Sequence, residues 1–316
     1  MCGLFGFSSY DEQPIKDAAK LTNSLARQSA IRGTDATGIA FCRQGNIQIH
    51  KDARSADKME LKHPDDVKCV IGHTRHSTQG SEKKNYNNHP FAGKVKSCSF
   101  ALAHNGVLVN DEELKRKYIL PRSKIETDSY VAVQLIEHKK SLNHDVLKFM
   151  AEQVDGSFSF SILDDKSNLY LVKGDSPLSV LHFPRLKLYV YASTDEILFK
   201  ALINTSLLSE IKKKNYEEIV LSEGEILKIA PDGSTEMSEY DFCRGYYYKP
   251  WWQYGRPYAT ATPQSCDNAA RQAYIEDLKY FAMYEGIDPS DIDMLIRSGM
   301  EPEEVEEYIY TYEGYY

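Results

Sequence analysis

The 316 residues are 42% hydrophobic and 27% charged, with a formal net charge of −8. No apolar run approaches the ~18 residues of a membrane-spanning helix. The first residues lack the basic flank of a secretory signal, and the acidic balance argues against a broad nucleic-acid surface.

The charge is uneven. Residues 1–240 hold 32 basic and 32 acidic side chains, whereas residues 241–316 hold 6 and 14, together with 13 of the 22 tyrosines. Such a shift marks a second module. Six cysteines stand at 2, 42, 69, 98, 243 and 266 without a C-x-x-C pair. That spacing suggests neither a zinc knuckle nor a disulfide scaffold, and it fits reduced thiols in a cytoplasmic chain. Cys42, Cys69 and Cys98 sit in apolar runs and read as buried small hydrophobes.

In chain order, residues 2–8 read as a strand and 15–28 as a helix with apolar positions at 15, 18, 19, 21 and 25. Residues 38–42 and 47–51 form a hairpin across Gly45-Asn46. Residues 67–74 and 99–103 are buried strands on either side of a polar loop, 77–88. Asn110 followed by Glu113 predicts a helix with a capping box. Helices follow at 128–138 and 146–154, strands at 157–163, 169–172 and 186–191, a helix at 196–204, and strands near Ile219 and Ile226. Without strict strand–helix alternation this is an α+β layered domain, not a doubly wound sheet. Beyond it, 241–263 is aromatic and turn-rich, and 268–284, 289–297 and 303–312 read as short helices.

Cys2 follows the initiator methionine. Removal of Met1 leaves a thiol and a free α-amine on one residue. An amine titrating near ~7.7 can take the proton of a thiol titrating near ~8.5. This is the logic of an N-terminal nucleophile. Six further segments follow in order: Arg32-Gly-Thr-Asp-Ala-Thr-Gly38, Gly72-His-Thr-Arg75, Ser77-Thr-Gln-Gly80, Asn87-Asn-His-Pro-Phe91, Ala103-His-Asn-Gly106 and Glu126-Thr-Asp128.

Behind a terminal Cys-Gly, this series resembles the glutaminase domain of class II glutamine amidotransferases, over residues 2 to about 230. The resemblance implies a four-layer αββα sandwich of the N-terminal nucleophile hydrolase type. Here it carries a small C-terminal helical extension. It implies that Cys2 attacks the glutamine side-chain amide to give a γ-glutamyl thioester. The Asn105 side chain and the Gly106 N–H form the oxyanion hole, Arg75 takes the α-carboxylate, and Asp128 takes the α-ammonium. Asp128 also reads as a first-turn charge or cap of the following helix, and Asn105-Gly106 alone reads as a turn after a strand.

Arg32, Asp35 and His104 are supporting residues in this resemblance. The closing loop brings His76, Thr78 and Gln79 to the substrate. Two positions depart from glucosamine-6-phosphate synthase, which has Trp at the place of His76 and His at that of Gln79. His73, His89 and His104 occupy positions the family uses without a metal. No phosphate-binding glycine loop is present, so no metal and no cofactor are expected.

The domain plan is 1–240 glutaminase, 241–264 aromatic linker or clasp, and 265–316 an acidic, tyrosine-rich helical module. About 76 residues are too few for the usual synthase domain. A free-standing subunit passing ammonia to a separate synthase, docked through 241–316, is the expectation. The alternatives are a hydrolase of small γ-glutamyl compounds and an inactive scaffold of the same fold.

Overall fold

The computed structural model describes residues 2–13, 15, 17–242, 275, 278, 279, 282, 287–300, 302, 304 and 305. The chain divides into two compact units, Met1–Cys243 and Arg244–Tyr316.

The first unit is built on two antiparallel sheets. One contains β1 (Gly3–Ser9), β2 (Ala36–Arg43), β3 (Asn46–Asp52), β4 (Cys69–Arg75), β9 (Ser179–Phe183), β10 (Leu188–Ala192) and β11 (Glu217–Ile219), in the order β11-β9-β10-β1-β4-β2-β3. The other contains β5 (Phe91–Lys94), β6 (Ser99–Leu108), β7 (Gly156–Asp164), β8 (Leu169–Lys173), β12 (Glu225–Ile229) and β13 (Thr235–Glu239), in the order β13-β12-β8-β7-β6-β5. The helices are α1 (Ala18–Ser29), α2 (Asp111–Lys117), α3 (Tyr130–Lys139), α4 (His144–Gln153), α5 (Asp195–Ile203) and α6 (Leu208–Lys212).

Alternation along the strands sorts side chains into three apolar layers. Phe5, Phe7, Phe41 and Val70 face outward from the first sheet onto Leu21 and Leu25 of α1 and Leu198 and Leu202 of α5. Leu4, Ile71, Ala101, Ala103, Leu163 and Leu171 fill the space between the sheets. Phe100, Phe158 and Phe160 face the other way, onto Val131, Leu135, Leu147 and Met150 of α3 and α4. Three stacked interfaces define four layers, αββα, as expected from the sequence. Central strands buried on both faces read as continuous apolar runs, which is why β1 and β4 were legible.

β5, β9, β13 and α6 were not expected from the sequence, and four further details differ. β6 does not end at Ala103. It pairs with β7 along its full length, so Asn105 and Gly106 lie within a strand and not in a turn. Asn110 precedes α2 but makes no side-chain cap. Its amide instead takes the Asp155 N–H and donates to the Gln153 carbonyl, each at 2.9 Å, tying α2 to the start of β7. Asp128 lies ahead of α3, whose N-cap residue is Ser129, and its carboxylate is used elsewhere. Cys42 is half-buried, unlike Cys69 and Cys98, and its thiol donates to the Asp165 carbonyl at 3.1 Å.

In the second unit, helix α7 (Pro289–Arg297) forms where the sequence places it. Pro289 opens the first turn, and Asp288 accepts the Ser290 N–H at 2.9 Å. Ile292 packs with Leu278, Ala282, Ile287 and Val305 in a small core. The aromatic segment 243–263 and most of the helices expected at 268–284 and 303–312 lie outside the described residues. No helix among the described residues is long and apolar enough to cross a membrane.

Phe100 is fully buried beneath α3 and packs over Gly93 of β5. Phe100→Ala should cost about 3–5 kcal/mol of stability. A fall in the denaturant midpoint of unfolding would report it.

Candidate active site

Strand parity brings the sequence-predicted residues to one end of the space between the sheets. Cys2 precedes Gly3 and shares the inward face of Leu4. Arg75 and His73 share the inward face of Ile71 on β4, and Gly3 pairs with Thr74, so Cys2 and Arg75 meet at the strand ends. Asn105 shares the inward face of Ala103 on β6. A bridge joins the two sheets here: His73 Nε2 lies 2.9 Å from the His104 carbonyl, one residue from Asn105.

Cys2 is held from several sides. Its carbonyl accepts from Arg32 Nε at 2.7 Å. Its sulfur lies 3.4 Å from the His76 N–H and 3.5 Å from the His76 carbonyl. Burial raises the thiol pKa and Asp128 adds to that, while the His76 amide and Arg75 oppose it. The thiol therefore keeps its proton at neutral pH unless a base takes it.

Asn105 is 1% exposed, and its Nδ2 has no hydrogen-bond partner among the described residues. A buried, unpaired amide donor is costly, about 1–3 kcal/mol, unless something arrives to use it. Gly106 stands beside it. Along β6, Val109 N–H reaches the Asp155 carbonyl and Leu108 N–H turns the other way, to Asp128 Oδ2. Gly106, two residues before Leu108, turns its N–H as Leu108 does, on an edge that β5 has left, because β5 pairs only with residues 99–102. The Gly106 φ of 138° is a glycine conformation, and a Cβ there would run into the Ser157 carbonyl.

The Arg75 guanidinium is fixed by acceptors. Nη1 donates to Asn88 Oδ1 at 2.6 Å, and Nη2 donates to the carbonyls of Gln79 and Gly80 at 2.7 and 2.8 Å. Burial lowers its pKa, while Cys2, Glu82, Asp128 and Asp35 act in the opposite sense. Asp35 clamps the end of β4: its N–H donates to the Arg75 carbonyl, and its Oδ2 accepts the Ser77 N–H at 2.7 Å. The side chains of His76, Thr78 and Gln79 are exposed on the loop above this cluster.

Two flanking motifs supply further anchoring residues, Asn87, Asn88 and Glu126, whose roles the sequence does not signal. Asn88 anchors Arg75. Asn87 and Glu126 exchange hydrogen bonds at 2.9 Å in both directions, tying the polar loop to the segment that carries Asp128. Ser129 bonds His104 Nδ1 at 2.8 Å, and no spacing rule signalled that contact. Burial lowers the pKa of His73 to about 3 and also lowers those of His89 and His104, leaving three neutral rings. Among the described residues no cluster of His, Cys, Asp and Glu is arranged to hold a metal ion.

An αββα sandwich with Cys2 at one end of its inter-sheet layer is the N-terminal nucleophile class of fold. Two solved structures share the fold. One, a glutamine phosphoribosylpyrophosphate amidotransferase from B. subtilis, has a TM-score of 0.59 and 21% identity, covering 75% of this chain and 49% of that one. The other, an allosteric regulatory enzyme of purine biosynthesis, has a TM-score of 0.60 and 20% identity, covering 90% and 58%. Residues 73–200 match the glutamine amidotransferase domain family.

Among curated relatives, a glutamine–fructose-6-phosphate aminotransferase (isomerizing) of Staphylococcus aureus is 31% identical over 251 residues, 76% of this chain and 39% of the relative. Its Staphylococcus epidermidis counterpart is 34% identical over 190 residues, 57% and 30%. The chain thus spans about two fifths of the S. aureus relative's length. Residues 73–200 thus match a glutamine amidotransferase domain, set within an N-terminal nucleophile type of fold.

Beside Arg75, Lys51 Nζ donates to the carbonyls of Asn88 and Pro90 at 2.6 and 3.3 Å and lies over the Phe91 ring. Burial, with Arg75 adding to it, pulls its pKa from 10.5 down to about 8. Between those values the unfolded chain binds the proton and the folded chain does not, so this group makes stability rise with pH. The unfolding free energy of wild type relative to Lys51→Met should therefore shift in the wild type's favour from about pH 8 toward 10.5. A flat difference would show that Lys51 titrates normally.

Proposed function

We infer that the chain hydrolyses glutamine to glutamate and ammonia through Cys2. The reading rests above all on the unpaired, buried Asn105 amide beside the edge-facing Gly106 N–H, on the inward end of the layer from which Cys2 also emerges. These are two donors waiting for an oxygen that develops negative charge.

Met1 removal frees the Cys2 amine, which takes the thiol proton. The sulfur then attacks the γ-carboxamide carbon. The carbonyl electrons move onto oxygen, which Asn105 Nδ2 and the Gly106 N–H receive. The C–N bond breaks as the protonated α-amine returns its proton to the departing nitrogen, giving ammonia and a γ-glutamyl thioester. Water, deprotonated by the same amine, attacks the thioester. The C–S bond breaks, glutamate leaves, and the thiol is restored. Arg75, already oriented by Asn88 and two carbonyls, is the partner for the α-carboxylate, and Asp128 the partner for the α-ammonium.

The ammonia passes to a separate synthase, and the tail from 241 to 316, dense in tyrosine and tryptophan, is the proposed docking element. Comparing what the whole chain and a chain ending at Tyr240 each capture tests this. A synthase retained equally by both would rule the tail out.

Met1-processed protein should release glutamate from glutamine, and Cys2→Ala should release none. Asn105→Ala should lower kcat by about 10²–10³-fold with a smaller change in KM. A diazo-ketone glutamine analogue should label Cys2 alone. Labelling that survives Cys2→Ala would refute the nucleophile assignment. Faster turnover of γ-glutamyl dipeptides than of glutamine would transfer the same chemistry to a different substrate class.

A further inference from the structure

Asp128 is buried, and its two oxygens are unequally used. Oδ2 accepts the Leu108 N–H at 2.6 Å. Oδ1 is approached by the Ser129 hydroxyl, at the long distance of 3.4 Å. That hydroxyl has one hydrogen and a nearer target, His104 Nδ1 at 2.8 Å.

The tautomer of His104 decides where the hydrogen goes. Its Nε2 faces the Ser157 carbonyl at 3.3 Å, and a carbonyl can only accept. The ring is 1% exposed and stacks on Phe160 at 4.7 Å. Burial lowers its pKa, although Asp128, the Ser157 carbonyl and Asp175 all act to raise it. A neutral ring has a single N–H, and it belongs on Nε2. Nδ1 is then a lone pair, and the Ser129 O–H points at it.

We propose that His104 and Ser129 are positioning residues that keep Asp128 Oδ1 open for the α-ammonium of the substrate. The imidazole draws the serine hydrogen away from the carboxylate, which its own neighbour would otherwise cap. The pair thereby favours substrates that carry a free α-amine. This rests on the glutaminase reading and deepens it, because it assigns the selectivity of the Asp128 end to two residues that do not touch the reacting atoms.

His104→Phe keeps a ring stacked on Phe160 but removes the acceptor, so the Ser129 hydroxyl turns to Asp128. KM for glutamine should rise about tenfold, roughly the loss of one charge-assisted contact. kcat should hold within about twofold. Inhibition by the des-amino analogue 4-carbamoylbutanoate should not change. Adding Ser129→Ala removes the capping hydroxyl and should return KM toward the wild-type value, which a purely structural defect would not do. Separately, NMR of the histidine side-chain nitrogens in wild-type protein should show His104 as the Nε2–H tautomer.

A double variant no better than His104→Phe overturns the proposal. So does an Nδ1–H tautomer, whatever the activity. Wild-type protein that releases no glutamate overturns the glutaminase reading instead, whatever the tautomer.

Discussion

Cys2 lies just ahead of the first strand, and its position is set by the fold around it. The tether is β1, a central strand paired with β10 on one side and β4 on the other. Both of its faces are buried, and the carbonyl of Cys2, just ahead of it, is fixed by Arg32. The sulfur then rests against the His76 backbone, where β4 gives way to the loop. Every other feature of the site depends on this placement. Arg75 comes to the Cys2 end because β4 pairs with β1, and Asn105 shares that inter-sheet layer because the second sheet packs on the first.

The site lies where apolar packing ends. Between the sheets Ile71, Ala101, Ala103, Leu163 and Leu171 form one apolar layer. The same strand faces carry His73, Arg75 and Asn105 in place of aliphatic residues. Buried polar groups are normally paired. Most here are: Arg75 by three acceptors, Asp128 by an amide, His73 by a carbonyl. Among the described residues the Asn105 amide is one of the few buried donors left without a partner, together with the ring nitrogens of His89 and the hydroxyls of Ser77 and Thr127. The cost of leaving it unpaired is covered by the packing of β6, bonded to β7 over its whole length.

Much of this was legible in the sequence, for identifiable reasons. Central strands announce themselves as apolar runs, and helices α1, α3, α4 and α5 as spaced apolar positions. The two edges of the second sheet were not legible. β5 is four residues, Phe-Ala-Gly-Lys, and β13 is almost wholly exposed and polar, so neither has a hydrophobic period to read. The end of β6 was missed because Asn-Gly is strong turn chemistry, and only pairing with β7 overrides it. Asn110 looked like a cap because caps are local, whereas its actual partners lie more than forty residues away. For the same reason motifs located Cys2, Arg75, Asn105, Gly106 and Asp128, but not the Ser129–His104 contact.

The two departures from the family pattern, His76 and Gln79, can now be weighed. Each contributes to the site through its backbone. The His76 amide and carbonyl flank the Cys2 sulfur, and the Gln79 carbonyl receives Arg75. The side chains themselves are exposed. A backbone group does not depend on residue identity so long as the loop keeps its path. That path is set elsewhere, by Asp35 holding the Ser77 N–H and by Asn88 reaching back to the Glu82 carbonyl. Exchanging Trp for His and His for Gln therefore leaves the contacts on sulfur and guanidinium intact. What it alters is the surface the loop presents above the site.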